Sequence, residues 1–108
     1  MKKTIKSALI FSVIFIFNSC VKEHHFIRFR NNYNEQFNNI TIGTANIGSV
    51  APGATSDYKS INSGNSSIYG SSASGKSLTG SGSISGQGTH SWTMTLDRFG
   101  KISCIEEL

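Results

Sequence analysis

From Phe26 onward, apolar and polar residues alternate with a period of two. Ile27 and Phe29 are set off by Arg28 and Arg30, and Ile40 and Ile42 by Asn39, Thr41 and Gly43. That pattern buries one face of an extended chain and predicts strands, and apolar spacing of helical period does not compete with it. Ala51-Pro52-Gly53 reads as a turn, with Pro fixing φ and Gly accepting φ > 0. It separates a strand over 45–50 from another over 56–61. Asn62-Ser63-Gly64-Asn65 is a second turn cluster and places a strand near 66–70.

The last segment is the most regular. Trp92, Met94 and Leu96 alternate with Thr93, Thr95 and Asp97, and Ile102 and Cys104 resume the alternation after Asp97-Arg98-Phe99-Gly100. Asp at the first turn position and Gly at the fourth predict a β-hairpin with a type I turn closed by a glycine bulge. Between these regions, 7 Gly and 11 Ser make up most of the 29 residues from Ser63 to Ser91, a composition that flexible linkers share. Ile68, Leu78 and Ile84 nevertheless recur at even spacings, which puts all three on one face of an extended chain. A linker also needs a second domain to link, so strands with Gly-rich turns are expected. About seven short strands predict an all-β fold, a small antiparallel β-sandwich or barrel over 26–108.

The N-terminal stretch has a different logic. Lys2, Lys3 and Lys6 precede the apolar run from Ala8 to Phe17, which ends at Asn18-Ser19-Cys20. A basic region followed by a short apolar region is signal-peptide anatomy. The run is too short to span a ~30 Å hydrocarbon core, which takes about 20 apolar residues. A cysteine directly after a small residue and an apolar run resembles the lipobox of bacterial lipoprotein signal peptides. Ser19 and Cys20 fit that pattern, whereas Phe17 replaces the usual Leu and Asn18 the usual small residue.

The resemblance implies cleavage between Ser19 and Cys20 after the Cys20 thiol receives diacylglycerol. The expected organisation is a signal peptide over 1–19, a tether with an acylated cysteine over 20–25, and a single β-domain over 26–108. The partner implied is a membrane of the bacterial cell envelope, reached through lipid on Cys20. Val21 stands where an Asp would resemble an inner-membrane retention signal, so the outer membrane is favoured if the host has one. Beyond the leader, the strand pattern and Gly/Ser-rich middle look like the small β-sandwich lipoproteins of uncharacterised function found in many bacteria.

Charge narrows the function classes. The formal charge of the 108-residue chain is +4, but three of the ten basic residues sit in the leader. Seven basic against six acidic residues remain after it, too even a balance for a nucleic-acid footprint or a polybasic membrane surface.

Individual motifs add little chemistry. Gly70 to Ser77 spells the P-loop pattern G-x-x-x-x-G-K-[ST], but a P-loop needs a helix after it, and Leu78-Thr79-Gly80-Ser81-Gly82 does not start one. No nucleotide partner is expected. His24, His25 and His90 raise a metal hypothesis, yet adjacent histidines on an extended chain point in opposite directions. They are expected to be solvated, with no metal and no other cofactor.

Glu23, Glu35, Asp57, Asp97, Glu106 and Glu107 are scattered, and Glu106-Glu107 reads as a solvated tail. Cys104, in phase with Ile102, is expected as an inert small core hydrophobe, and Trp92 as a core anchor whose truncation costs roughly 3–5 kcal/mol. No catalytic residues are assigned. The chain is therefore expected to be a lipid-anchored envelope lipoprotein with a non-catalytic β-domain that serves as an interaction or structural module. Its partner would be an envelope protein, a host molecule or a glycan. Two alternatives remain: a small ligand or metal carrier using the histidines or a surface of Tyr33, Tyr58 and Tyr69, and a hydrolase with a site assembled from separated residues.

Overall fold

A computed structural model describes residues 23–107, all of whose regular structure is β. The strands are β1 (Glu23–Asn31), β2 (Phe37–Ile42), β3 (Ala45–Val50), β4 (Lys59–Ile61), β5 (Gly64–Ser72), β6 (Ser81–Ile84), β7 (Gly88–Leu96) and β8 (Ile102–Glu107). One four-stranded sheet has the order β4-β1-β7-β8 and the other β3-β2-β5-β6. They pack as a sandwich, with Ile27, Phe29 and Met94 of the first sheet and Phe37, Ile40, Ile42, Ile68 and Ile84 of the second all but excluded from solvent. The buried residues follow the period-two positions, which is why a sequence of such modest hydrophobicity still closes a core.

The described residues form eight strands, in line with the all-β sandwich expected. Two finer expectations change. The first strand starts at Glu23, so Glu23, His24 and His25 belong to the sheet and not to a tether. The second change concerns strand direction: β1 and β7 run parallel over nine paired positions, from Glu23 opposite Gly88 to Asn31 opposite Leu96, while the other pairs are antiparallel. Parallel neighbours need a long crossover, and here the chain passes through the second sheet before β7 returns beside β1. Alternation reports which face is buried, not strand direction.

The Gly- and Ser-rich region is packed chain. Ile68, Leu78 and Ile84 all enter the core, and β6 lies against β8 at a separation that only glycine allows. A Cβ on Gly80 would stand 2.6 Å from Cβ of Ile102, and one on Gly82 would stand 2.7 Å from Sγ of Cys104.

At the β2–β3 turn Ile42 pairs with Ala45, and Gly43 takes φ 55° at the first central position, as a two-residue type II′ hairpin requires. Among the described residues Asn39 is the non-glycine residue with positive φ, 53°, at a register shift between β2 and β5. Asparagine tolerates that conformation better than most residues.

Candidate functional site

Ser19 and Cys20 lie outside the described residues, as does the leader. Val21 and Lys22 alone separate Cys20 from β1. Three fully extended residue steps reach only about 10 Å, so a lipid on Cys20 would sit close to the end of the sandwich where β1 and β7 begin and β8 ends.

That end carries a cluster that local sequence reading does not assemble. The parallel register sets His25 directly opposite His90, and their rings stack with centroids 5.4 Å apart. The Trp92 indole N–H donates to Nδ1 of His25 at 3.2 Å, while Nε2 of His25 lies 3.0 Å from Oε1 of Glu23. With Nδ1 accepting, Nε2 must carry the proton that bonds the carboxylate. His90 has two acceptors instead: Oε2 of Glu106 at 2.5 Å from Nδ1 and the Gln87 carbonyl at 2.6 Å from Nε2. Both of its nitrogens donate only in the imidazolium form.

The hydrogen bond donated to Glu106, then that donated to the Gln87 carbonyl, accordingly raises the His90 pKa above its ordinary 6.5. Any stabilisation from this raised pKa is complete below the unfolded-state value and is lost as pH rises through the higher folded-state value. In His90→Gln, the melting temperature is expected to fall relative to the parent in mildly acid solution and to match it at alkaline pH. A paired thermal-melt series over pH 5–9 reads this out, and a deficit that grows with pH would contradict it.

Several sequence readings are corrected here. His25 is buried, not solvated, and Glu106 is a partner of His90, not part of a free tail. Only His24 of the adjacent pair is exposed, which is the alternation expected of a strand. Trp92 is half-buried, packing on the core from its rim while holding His25, so it is less of a core anchor than its apolar stripe suggested.

Both nitrogens of each ring are engaged by residues other than a nucleophile, so neither histidine is set up as the base of a Ser–His or Cys–His pair. Among the described residues no group of three or more His, Cys, Asp or Glu has the arrangement to hold a metal ion. Cys104 is half-buried on β8 against Gly82, and burial pushes its thiol pKa up, the opposite of an activated cysteine.

The P-loop spelling has a local explanation. Ser72 N–H donates to the Lys76 carbonyl at 2.9 Å, Gly75 N–H to the Ser72 carbonyl at 3.0 Å, and Lys76 N–H to Oγ of Ser72 at 3.1 Å. The predicted β7–β8 turn repeats that scheme. Asp97 N–H donates to the Lys101 carbonyl at 2.9 Å, Gly100 N–H to the Asp97 carbonyl at 3.0 Å, and Lys101 N–H to Oδ1 of Asp97 at 2.9 Å.

In both turns an oxygen-bearing side chain is followed three residues later by a glycine with φ near +90° and then by lysine. Gly75-Lys76 is thus a turn closure, its N–H groups are spent within the hairpin, and the next residue to enter the core is Leu78. Lys76→Ala, an exposed change, is expected to shift stability by no more than about 0.5 kcal/mol. Saturable magnesium-ATP binding that disappears in this variant would contradict the turn assignment.

The two turns stand at the end of the sandwich opposite Glu23. Between them opens a cleft of about 130 Å³, lined by Tyr33, Phe37, Lys76, Ser77, Leu78, Leu96, Phe99 and Gly100. Nζ of Lys76 lies 5.5 Å from the centroid of the Tyr33 ring, and the Arg98 guanidinium lies 4.9 Å from that of Phe99. Phe99 is 75% exposed. The three tyrosines do not form one surface. Tyr33 lines this cleft, Tyr58 lies under Arg28 beside β1, and Tyr69 projects from β5.

No protein-family model and no curated protein matches the chain. Among solved structures, the sandwich is similar to the NMR structure of a protein from Eubacterium rectale. The TM-score is 0.53 and the identity 16%, over 79% of this chain and 89% of that one. The likeness is one of fold.

Proposed function

We propose that the chain is a lipid-anchored lipoprotein of the bacterial envelope whose β-sandwich serves as a non-catalytic interaction module. The observation that carries the reading is the basic and apolar leader ending at Ser19-Cys20, followed after two residues by the first strand of a complete sandwich. So short a spacer suits a domain held against its membrane. Lipid is also the attachment that chemistry favours: the residues after the leader are nearly neutral, and the described region offers strands instead of an amphipathic helix. Two or three acyl chains on one cysteine suffice for stable anchoring, because one chain binds marginally at K ~10⁴ M⁻¹ and each further buried CH₂ adds ~0.8 kcal/mol.

The carrier alternative loses ground because the nitrogens of His25 and His90 are already bonded and the tyrosines are dispersed. The hydrolase alternative loses ground because the His25–His90 cluster holds no nucleophile. Envelope fractionation tests the anchoring. The parent should stay with the membrane through a high-salt wash, and Cys20→Ala should be released. A Cys20→Ala protein that remains in the membrane fraction would overturn it.

A further inference from the structure

We infer that the outer face of the second sheet binds a neutral polysaccharide, one sugar ring stacking on Tyr69 and its neighbours hydrogen-bonding to Thr41, Asn46 and Thr79. The inference rests on the interaction-module reading and deepens it by naming the partner's chemistry and its site.

The four strands of this sheet contain no Asp, Glu, Lys, Arg or His. Charged residues make up about a quarter of an ordinary globular chain, and the strands of the first sheet hold Glu23, Arg28, Arg30, Lys59, Glu106 and Glu107. Charge is therefore segregated between the two sheets, and one broad face of the sandwich has none.

Hydroxyl and amide side chains take its outward positions. β5 turns Ser66, Ile68 and Ser72 inward and leaves Asn65, Ser67, Tyr69 and Ser71 outward, with Tyr69 66% exposed. Thr41 of β2 stands opposite Tyr69, and Asn46 of β3 stands opposite Thr41. On the other side of the ring, Thr79 falls midway between Ser77 and Ser81, which pair with Ser71 and Ser67. Asn46, Thr41, Tyr69 and Thr79 thus form one row across the sheet, roughly 14 Å long at ~4.8 Å per strand.

These groups are free to bind a ligand. Among the described residues, the side-chain hydrogen bonds of this sheet's strands are those of Asn38 with Gln36 and of Ser72 with Ser74 and the Lys76 N–H. The Asn46 amide and the hydroxyls of Thr41, Ser67, Tyr69 and Ser71 have no such partner.

The chemistry of the face decides among occupants. Nucleic acid and anionic lipid are held by cations, and these strands supply none. A protein interface needs an apolar centre, whereas Tyr69 is the one large apolar side chain that the described strands of this sheet expose. A sugar ring presents a C–H face for the phenol to cover and a rim of hydroxyls that both donate and accept. Amide and hydroxyl side chains fill both of those roles. Polar groups on both sides of the ring suit a chain of sugars better than one. The face lies along the flank of the sandwich, so a lipid at the end where β1 begins leaves it open.

The test passes the full chain, at high salt in a zwitterionic detergent without a sugar headgroup, over columns of immobilised dextran, cellulose or mannan, with dextran sulfate as the anionic counterpart. At least one neutral column should retard the parent, and more strongly than dextran sulfate does. Tyr69→Phe should keep the retention. Tyr69→Thr removes the ring at an exposed position and keeps a strand-forming residue. It should bind about tenfold more weakly, as loss of a stacking contact does, while melting like the parent. Asn46→Ala, also exposed, should weaken binding severalfold.

No retention on any neutral column would overturn the inference, as would stronger retention on dextran sulfate. Retention unchanged in Tyr69→Thr would overturn this site and leave the interaction-module reading standing. Conversely, retention that depends on Tyr69 alongside a Cys20→Ala protein that stays in the membrane fraction would leave this site standing and overturn the anchoring.

Discussion

Asn31→Ala is expected to cost about 3–5 kcal/mol and to lower the melting temperature by roughly 15 °C or more. Asn31 closes β1 with no exposed surface. Its Nδ2 donates to the carbonyls of Glu35 at 2.7 Å and Val50 at 3.1 Å, and its Oδ1 accepts the Tyr33 N–H at 2.9 Å. One amide therefore ties the β1–β2 connection to the end of β3. Alanine removes these bonds, leaves the buried Val50 carbonyl and the partly buried Glu35 carbonyl and Tyr33 N–H without this partner, and opens a void, and each unsatisfied buried group costs about 1–3 kcal/mol. A small domain has a total stability of only about 5–15 kcal/mol.

Asn31→Asp separates bonding from volume. It keeps the acceptor for Tyr33 but turns an oxygen toward the carbonyls of Glu35 and Val50, so it should be destabilised more at neutral than at acid pH. Chemical denaturation of the three proteins at two pH values checks both expectations. An Asn31→Ala variant as stable as the parent would show that these bonds contribute nothing net.

Gly82→Val should cost about 2–3 kcal/mol or more through overpacking. The first added carbon already falls 2.7 Å from Sγ and 2.9 Å from Cβ of Cys104, so β6 and β8 must part. Ser81→Ala and Ser83→Ala, on exposed neighbours within the same strand, should stay within about 0.5 kcal/mol. Denaturation midpoints for the three variants compare them. If Gly82→Val were as mild as the serine changes, the Gly/Ser-rich region would be behaving as a linker after all.

The fold class was legible because alternation is a local signal. Ile68, Leu78 and Ile84 kept their phase through serine and glycine, and the Asp97–Gly100 turn announced itself by residue type. The proximal cluster was less legible, since no local pattern reveals that β1 and β7 lie side by side with His25 opposite His90. One signal was available: Glu23, His25, Ile27, Phe29 and Asn31 alternate without a break, which puts His25 on the buried face. The adjacency of His24 and a supposed tether obscured it. The distal cleft depends on two turns distant in sequence: the one at Asp97–Gly100 is legible as a hairpin turn, whereas the one at Ser72–Lys76 lies inside the P-loop spelling of Gly70 to Ser77, which drew attention to phosphate chemistry and away from the turn.

The central claim is that lipid on Cys20 holds this sandwich on an envelope membrane. Metabolic labelling with a fatty-acid analogue, followed by membrane fractionation of parent and Cys20→Ala, tests it most directly. The account predicts a labelled parent in the membrane fraction and an unlabelled, released Cys20→Ala protein. Label persisting in Cys20→Ala, or no label in the parent, would contradict it.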